Sequence, residues 1–449
     1  MVERRHVRVT AAVVLLVCAG LVGGAYATRS TPTVTDAADG DGRVPAANGT
    51  TVVATDSNTW LGKAADGPRA NAEIVAFDAS GSVVYYDDSH TRYWDVDPVE
   101  GTDATVEYLY ADHLTPEACG GESVCTENGI ERVNLTTGTV EPVYSRVTPG
   151  KHSTRWHDAD RVTNDSYVVA DIAADRVFVV NTTTELVTWS WDAQSAFDPA
   201  TTGGPYPGDW THLNDVELLS NGLVQVSLRN HDRVVYLDRE SGLVAERTLG
   251  NGSHEIIYEQ HNPDYIENAG GDDAVLVADS ENNRLVEYRR SGGTWTRSWV
   301  WQDDQLQWPR DADRLPNGHT LVTDSNGNRV FELDETGDVV WSVPIAFPYE
   351  AERLGTGDES HGGQPAHELS LENRTASTGG SADDGSASAI LPGPMVNAVY
   401  YVLPQWMSVP TLAVACLGSL VALVWGALEL RWLPYSVTVS NPVSIRRRP

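Results

Sequence analysis

A short hairpin pattern recurs six times along this chain of 449 residues. The clearest copies are Asp175-Arg176-Val177, Asp232-Arg233-Val234, Asn283-Arg284-Leu285 and Asn328-Arg329-Val330. Weaker copies are Glu73-Ile74-Val75-Ala76-Phe77-Asp78 and Glu131-Arg132-Val133-Asn134-Leu135. Each strong copy leads into alternating apolar residues, a turn and a second strand. A repeat of roughly 45–57 residues built from short strands predicts an all-β fold, a six-bladed β-propeller. Such a ring brings residues that recur in register to one central channel, however far apart they lie in the chain.

The lead-in to each good repeat carries polar residues. Repeat six reads Trp308-Pro309-Arg310-Asp311, with Pro316-Asn317-Gly318 as a hairpin turn. Repeat three reads Arg155-Trp156-His157-Asp158, repeat four His212-Leu213-Asn214-Asp215 and repeat five His261-Asn262-Pro263-Asp264. Counting back from the shared Asp aligns His212 with His261, and both with Arg155 and Trp308. The expectation is a cluster of His157, His212, His261 and Arg310 at one channel mouth, joined by Arg229. Repeat one starts late. Its Thr51-Val52-Val53-Ala54-Thr55-Asp56 resembles a second strand, so the ring should close by strand exchange, with the donor unassigned.

The ends of the chain read differently. Arg4, Arg5 and Arg8 precede an apolar run from Val9 to Ala27. Residues 1–28 are therefore a signal anchor or a cleaved signal peptide, with Ala25-Tyr26-Ala27 as a small-x-small site. Val409 to Leu428 carries no charge and is long enough to span a bilayer. Arg431 and Arg446-Arg447-Arg448 follow it, so a transmembrane helix at 405–430 and a cytoplasmic basic tail at 431–449 are expected. The propeller, 50–352, then faces outside the cell membrane, between a linker at 29–49 and a Gly/Ser/Asp-rich disordered linker at 353–400. Both termini are cytoplasmic unless the first segment is removed. Asn48, Asn134, Asn164, Asn181, Asn251 and Asn373 begin Asn-x-Ser/Thr sequons, compatible with glycosylation outside.

The formal net charge is −32, with two lysines, Lys63 and Lys151. Dispersed acidity with little lysine reads as a halophilic surface, against an ordinary acidic secreted one. With no basic stripe, nucleic acid is excluded as a partner. Cys119 and Cys125 bracket a short loop and read as a local disulfide. No further Cys or nearby His completes a zinc set there. Asp279-Ser280-Glu281-Asn282-Asn283 and Asp324-Ser325-Asn326-Gly327-Asn328 are oxygen-rich but recur in step with the blades, so they read as turns and not calcium loops. No phosphate-binding Gly loop is present. No cofactor and no metal are expected.

Trp210-Thr211-His212-Leu213-Asn214-Asp215, the later Ser227-Leu228-Arg229-Asn230-His231, and Tyr258-Glu259-Gln260-His261 resemble the bacterial PAPS-independent arylsulfotransferases, in a haloarchaeal-like form. His157-Asp158-Ala159-Asp160 resembles an earlier motif of that family. The resemblance covers 150–350 well and 50–150 weakly, and implies a six-bladed propeller. It implies that His261 attacks an aryl sulfate and carries the sulfuryl group as a sulfohistidine to a phenolic acceptor. His212, Asn214 and Arg229 would bind the sulfuryl oxygens, and His157 would assist. Neutral imidazole suits a labile covalent intermediate, and Arg donors suit a sulfate. The family's additional N-terminal β-sandwich has no counterpart here, which leaves substrate and a possible homodimer open.

Against this stand plainer readings. His90, His113, His231, His254 and His319 read as hydrogen-bonded structural residues. Asp158, Asp215 and Asp311 read as turn-bracing, and Arg176, Arg233, Arg284 and Arg329 as structural repeats. Trp189, Trp191, Trp299, Trp301 and Trp341 read as blade packing, whereas Trp156, Trp210 and Trp308 could line an aryl pocket. The alternative class is a non-catalytic propeller resembling the NHL or quinoprotein repeats, binding a glycan, peptide or protein at the cell surface. The asymmetric His/Arg/Asn set favours the enzyme.

Overall fold

The computed structural model describes residues 4–28, 44–56, 72–121, 125–149, 155–303, 305–375, 393–404, 406–433, 435–438 and 444–447. Its helices are α1 (Arg4–Ala27), α2 (Gly393–Val402), α3 (Val409–Trp432) and a single turn at Ala366–Leu369. Two compact units result: Met1–Thr31 with Leu403–Pro449, and Pro32–Val402.

The larger unit is a six-bladed propeller of four-stranded antiparallel sheets. The innermost strands of blades two to six are Arg92–Pro98, Trp156–Thr163, Leu213–Leu218, His261–Ile266 and Pro309–Arg314. In blade one the innermost strand is Pro348–Arg353, which pairs antiparallel with Thr51–Thr55. The ring is thus closed by the last strand of the domain joining the first, and this is the donor that the truncated first repeat calls for. Apolar clusters sit between neighbouring blades. One gathers Val168, Trp191, Trp210, Leu213, Val226 and Val235 from blades three and four.

The repeated arginines brace the hairpins. Arg176 meets Asp171 at 3.2 Å, Arg284 meets Asp279 at 2.5 Å and Arg329 meets Asp324 at 2.8 Å. The residue before each of them, Asp175, Asp232, Asn283 and Asn328, has φ between 50° and 55°. Asn and Asp tolerate that left-handed conformation, which explains why the pattern begins with them.

Asp158, Asp215 and Asp311 do not brace turns. They sit on the innermost strands and face the axis. With a period of two along each strand, the axis-facing positions form two tiers. The upper tier is Glu350, Asp95, Asp158, Asp215, Asn262 and Asp311; the lower is Glu352, Asp97, Asp160, Glu217, Asp264 and Asp313. Several of these carboxylates accept a backbone N–H from the next blade's inner strand. Asp95 takes Ala159 N at 3.0 Å, Glu217 takes Tyr265 N at 2.7 Å, Asp311 takes Ala351 N at 3.2 Å and Glu350 takes Val96 N at 3.0 Å. Acid side chains therefore stitch the ring. The arrangement also crowds charge. Carboxylates within 4.8 Å of one another repel by about 3–4 kcal/mol per pair at an effective dielectric of ~20. Desolvation raises Asp158 to about 6 and Asp311 to about 7.

After the closing strand the chain stays on the propeller to residue 375, although its composition reads as a linker. Ser360 Oγ donates to Asp264 Oδ2 at 2.6 Å, and Arg374 N donates to Val300 O at 3.0 Å. The Gly/Ser-rich stretch at 376–392 lies outside the described residues. Cys119 and Cys125 are joined by a disulfide with a Cα–Cα distance of 5.7 Å.

The smaller unit pairs α1 with α3, two helices long and apolar enough to cross a membrane, with mean hydropathies of 2.2 and 2.1. Ser408 caps α3 by accepting from Thr411 N at 3.3 Å. Arg8 Nε meets Glu429 Oε1 at 2.6 Å, while Tyr26 packs edge-on against Trp406 at 5.2 Å. Those contacts join the start of each helix to the end of the other. The pair is antiparallel, with both outer ends on one side.

Candidate active site

Every inner strand carries a β-bulge near one level: between Tyr93 and Val96, at His157, Asn214, Arg310 and Tyr349, and one residue later, at Asn262, in blade five, where His261 pairs with Ala278. A bulge breaks strict alternation and re-aims a side chain. The residue before each upper-tier position sits at this level, and four of the six, Trp94, His157, His261 and Arg310, face the channel mouth. Those six seats hold Tyr349, Trp94, His157, Asn214, His261 and Arg310.

This register corrects the alignment read from spacing. His261 is equivalent to His157, Asn214 and Arg310, not to His212. The residues in step with His212 are Arg155, Glu259, Trp308 and Phe347. Backbone conformation agrees: His212, Glu259, Trp308 and Phe347 have φ of 46°, 44°, 58° and 48°. Non-glycine residues held in that region mark a constrained collar above the seats.

A cavity of about 410 Å³ opens over the seats. Trp94, His157, His261 and Arg310 line it from below, Arg155, His212 and Trp308 from the collar, and Asp56, Asp209, Arg229 and Glu281 from loops. Helix α2 covers it with Asn397, Ala398, Tyr401 and Val402. Asn397 ties α2 down through Nδ2 to Glu281 Oε2 at 3.1 Å. Tyr401 lies edge-on to Trp308 at 5.4 Å. The cavity thus has aromatic walls and a basic floor.

The structure brings His157, His212, His261, Arg229, Arg310 and Trp308 together. Asn214, Trp156 and Trp210 do not reach the cavity. Asn214 is buried beside it, donating from Nδ2 to Gln260 O at 3.2 Å. Trp156 stacks on Tyr144 at 5.9 Å within a blade core. Trp210 is buried with Nε1 donating to Thr202 O at 2.6 Å. Trp156, the first residue of its strand, and Trp210, three residues before its own, point between blades. The residues that spacing missed are Arg155, Trp94, Asp56, Asp209 and α2. Arg155 had the strongest signal, because it occupies the collar position of His212. His90, His113, His231, His254 and His319 line no part of the cavity.

The three imidazoles differ in their partners. His261 Nδ1 lies 2.8 Å from Ser280 Oγ, and that hydroxyl donates to Pro309 O at 2.7 Å. With its one proton directed there, Ser280 can only accept from His261, so Nδ1 carries the hydrogen and Nε2 the lone pair. His212 Nδ1 donates to Asp209 Oδ1 at 2.7 Å, again leaving Nε2 as the basic atom. His157 Nδ1 meets Tyr349 Oη at 3.1 Å, and its Nε2 has no partner among the described residues. Desolvation, then Arg310, holds His261 well below the usual imidazole range. Desolvation, then Arg155, does the same for His157. Both are neutral near neutral pH. So is His212, lowered by desolvation and Arg229 despite Asp209.

Three arginines face this site. Arg229 is engaged by Glu259. Arg310 meets Asp56 at 3.3 Å and lies 4.6 Å from the ring centroids of Tyr349 and Phe347. Arg155 has no ion pair among the described residues and lies 5.1 Å over Trp94. Desolvation brings it down to about 10, still charged. A cation without an ion pair among the described residues, beside neutral imidazoles in a cavity with aromatic walls, suits an aromatic anion.

The Arylsulfotransferase (ASST) family model matches residues 68–245. That match supports the family and an arylsulfotransferase-type function. It takes in His157, His212 and Arg229 and stops short of His261. No curated protein matches. Among solved structures, a periplasmic gluconolactonase of Pseudomonas aeruginosa is 14% identical, covers 69% of this chain and 99% of its own, and has a TM-score of 0.44. A Bacteroides caccae protein of unknown function is 12% identical over 69% of this chain and 100% of its own, at 0.44. A virginiamycin B lyase of Staphylococcus aureus is 10% identical over 61% and 77%, at 0.38. At these scores the likenesses carry no argument about function.

Proposed function

We propose that the propeller moves a sulfuryl group from an aryl sulfate to a phenol through a sulfohistidine at His261. The carrying observation is the Ser280 contact: with its hydroxyl directed at the Pro309 carbonyl, it assigns the hydrogen of His261 to Nδ1 and the lone pair to Nε2, in a cavity lined by an arginine that has no ion pair among the described residues. In the first half-reaction His261 Nε2 forms an N–S bond as the S–O(aryl) bond breaks, and the electron pair leaves on the phenolate, which takes a proton from water. Next the acceptor oxygen bonds to sulfur as the N–S bond breaks, and the acceptor's proton passes to His212 Nε2. Asp209 orients His212 for that role. Arg155, Arg310 and the Nε2–H of His157 stabilise the sulfuryl oxygens. Trp94, Trp308 and Tyr401 hold the aryl ring. This reassigns sulfuryl binding from Asn214 and Arg229, which are turned away or engaged.

Paired terminal helices and flanking arginines support a membrane-anchored enzyme with cytoplasmic ends and an outward-facing propeller. The lysine-poor acidic surface supports work in high salt. The test is nitrophenol release from 4-nitrophenyl sulfate by the full chain in high salt, with and without phenol. Acceptor-dependent release is expected, with a gain of about 80 Da on the peptide carrying His261. His261→Ala should lose about 10³-fold or more of the rate. A folded wild type inert toward several aryl sulfates would leave the binding propeller as the better reading.

A further inference from the structure

Directly beneath the cavity lie two tiers of carboxylates on the inner strands. Three acidic groups have ligand oxygens within 4.8 Å of one another among the described residues, and Asp264, Asp311 and Asp313 form the one whose members are all buried. Asp264 and Asp313 are each 1% exposed. Each also has an oxygen without a partner among the described residues, Oδ1 of Asp264 and Oδ2 of Asp313. A buried carboxylate oxygen left unpaired is costly, so the position calls for a ligand.

The nearest side-chain cations do not meet that need. Arg314 follows Asp313 on the strand and faces outward, pairing with Glu287 at 3.4 Å over Trp299. Arg353 pairs with Glu332 at 2.9 Å over Trp341. More oxygen is at hand from the closing strand. Glu352 accepts Glu359 N through Oε1 at 2.9 Å, and its Oε2 is unpartnered. Ser360 fixes Asp264 through its other oxygen.

We propose that the axial channel binds a hard divalent cation of the calcium class at Asp264, Asp311 and Asp313, with Glu352 as a further donor. The donors are all oxygen, with no His or Cys among them, which disfavours zinc and copper. Several carboxylates in a rigid ring match the coordination that Ca²⁺ prefers. The ion would tie blades five and six to the closing strand of blade one, and so lock the ring at the place where two ends of the domain meet. It would also neutralise the floor under His261. This inference does not depend on the reaction proposed above.

The test is elemental analysis and melting of the full-length protein in monovalent salt, before and after EGTA. About one Ca²⁺ per chain should survive exhaustive dialysis. EGTA should lower the melting temperature by about 5 °C or more, and Ca²⁺ but not added NaCl should restore it. Asp313→Asn and Asp264→Asn should each remove the ion and the response to EGTA. Should either variant not fold, the wild-type metal content and melting decide alone. No retained divalent ion, together with identical melting with and without Ca²⁺ after EGTA, overturns the proposal.

Discussion

His261 and Ser280 are coupled by a single hydrogen bond of 2.8 Å whose direction is fixed by a third group, the carbonyl of Pro309. A positioning residue of this kind should affect turnover more than binding. Ser280→Ala frees the imidazole to take the other tautomer. We expect kcat to fall about 10- to 100-fold with KM for the aryl sulfate little changed. Ser280→Thr, which keeps the hydroxyl, should recover most of the loss. Steady-state kinetics on the three proteins check this.

Arg155 sets function against stability. It is a half-buried, partly desolvated cation with no ion pair among the described residues, so removing it relieves a desolvation cost. Arg155→Met should raise the melting temperature by about 2–4 °C, the response to roughly 1 kcal/mol in a large domain. The same variant should raise KM for a sulfate donor about tenfold or more. A variant that melts lower and turns over normally would remove Arg155 from the site.

The pH profile follows from the neutral imidazole. His261 is held below 6.5 by desolvation and then Arg310. Its active neutral form is present above the lowered pKa and is lost only as pH falls through it. The acid limb of kcat/KM should therefore lie well below the usual imidazole range, without the inflection near 6.5 of an ordinary histidine. A titration of kcat/KM with pH decides.

His90 predicts an alkaline loss of stability. Burial works to lower its pKa, but the hydrogen bonds it donates to Asp112 at 2.7 Å and Glu131 at 3.1 Å outweigh burial and raise it to about 9. A raised folded pKa stabilises fully below the unfolded value of about 6.5, and the contribution is lost as pH climbs through about 9. Urea melts should show wild type losing a few kcal/mol at most between pH 7 and 10. His90→Gln should start lower and lose less.

The closing strand gives a truncation test. A propeller fragment ending at residue 347 lacks Pro348–Arg353 and leaves Thr51–Thr55 as an exposed edge. It should aggregate or melt without cooperativity. A fragment ending at 375 keeps that strand and the segment that packs on blade five, and should melt cooperatively. Calorimetry compares the two.

The repeat, the hairpin turns and the late start of repeat one were legible because they depend on local chemistry: Asp or Asn at left-handed corners and alternating apolar residues. The gathering of His157, His212, His261 and Arg310 followed from ring geometry alone. Register in blade five was not legible. Asp264 imitates Asp215 in its distance from a histidine, yet it belongs to the tier of Glu217, two residues further along. Asn262 stands where other blades carry an acid, so the eye counts from the wrong carboxylate. Trp156 was misplaced because a bulge, invisible in composition, turns the following His157 and not it toward the mouth, and Trp210 because it lies three residues before its strand and packs in the core between blades. The order after residue 353 escaped because Ser360 and Arg374 act singly, through hydrogen bonds and not through an apolar pattern.

The six bulges set the chemistry apart from the architecture. Read around the ring, the seats spell Tyr, Trp, His, Asn, His and Arg. Four of these letters, Trp94, His157, His261 and Arg310, face the cavity, while Tyr349 and Asn214 are buried among the blades. A lineage holding this scaffold constant could change substrate, or abandon catalysis for recognition, by editing those four codons scattered along the chain. Related propellers are then best sorted by those four characters, not by overall likeness.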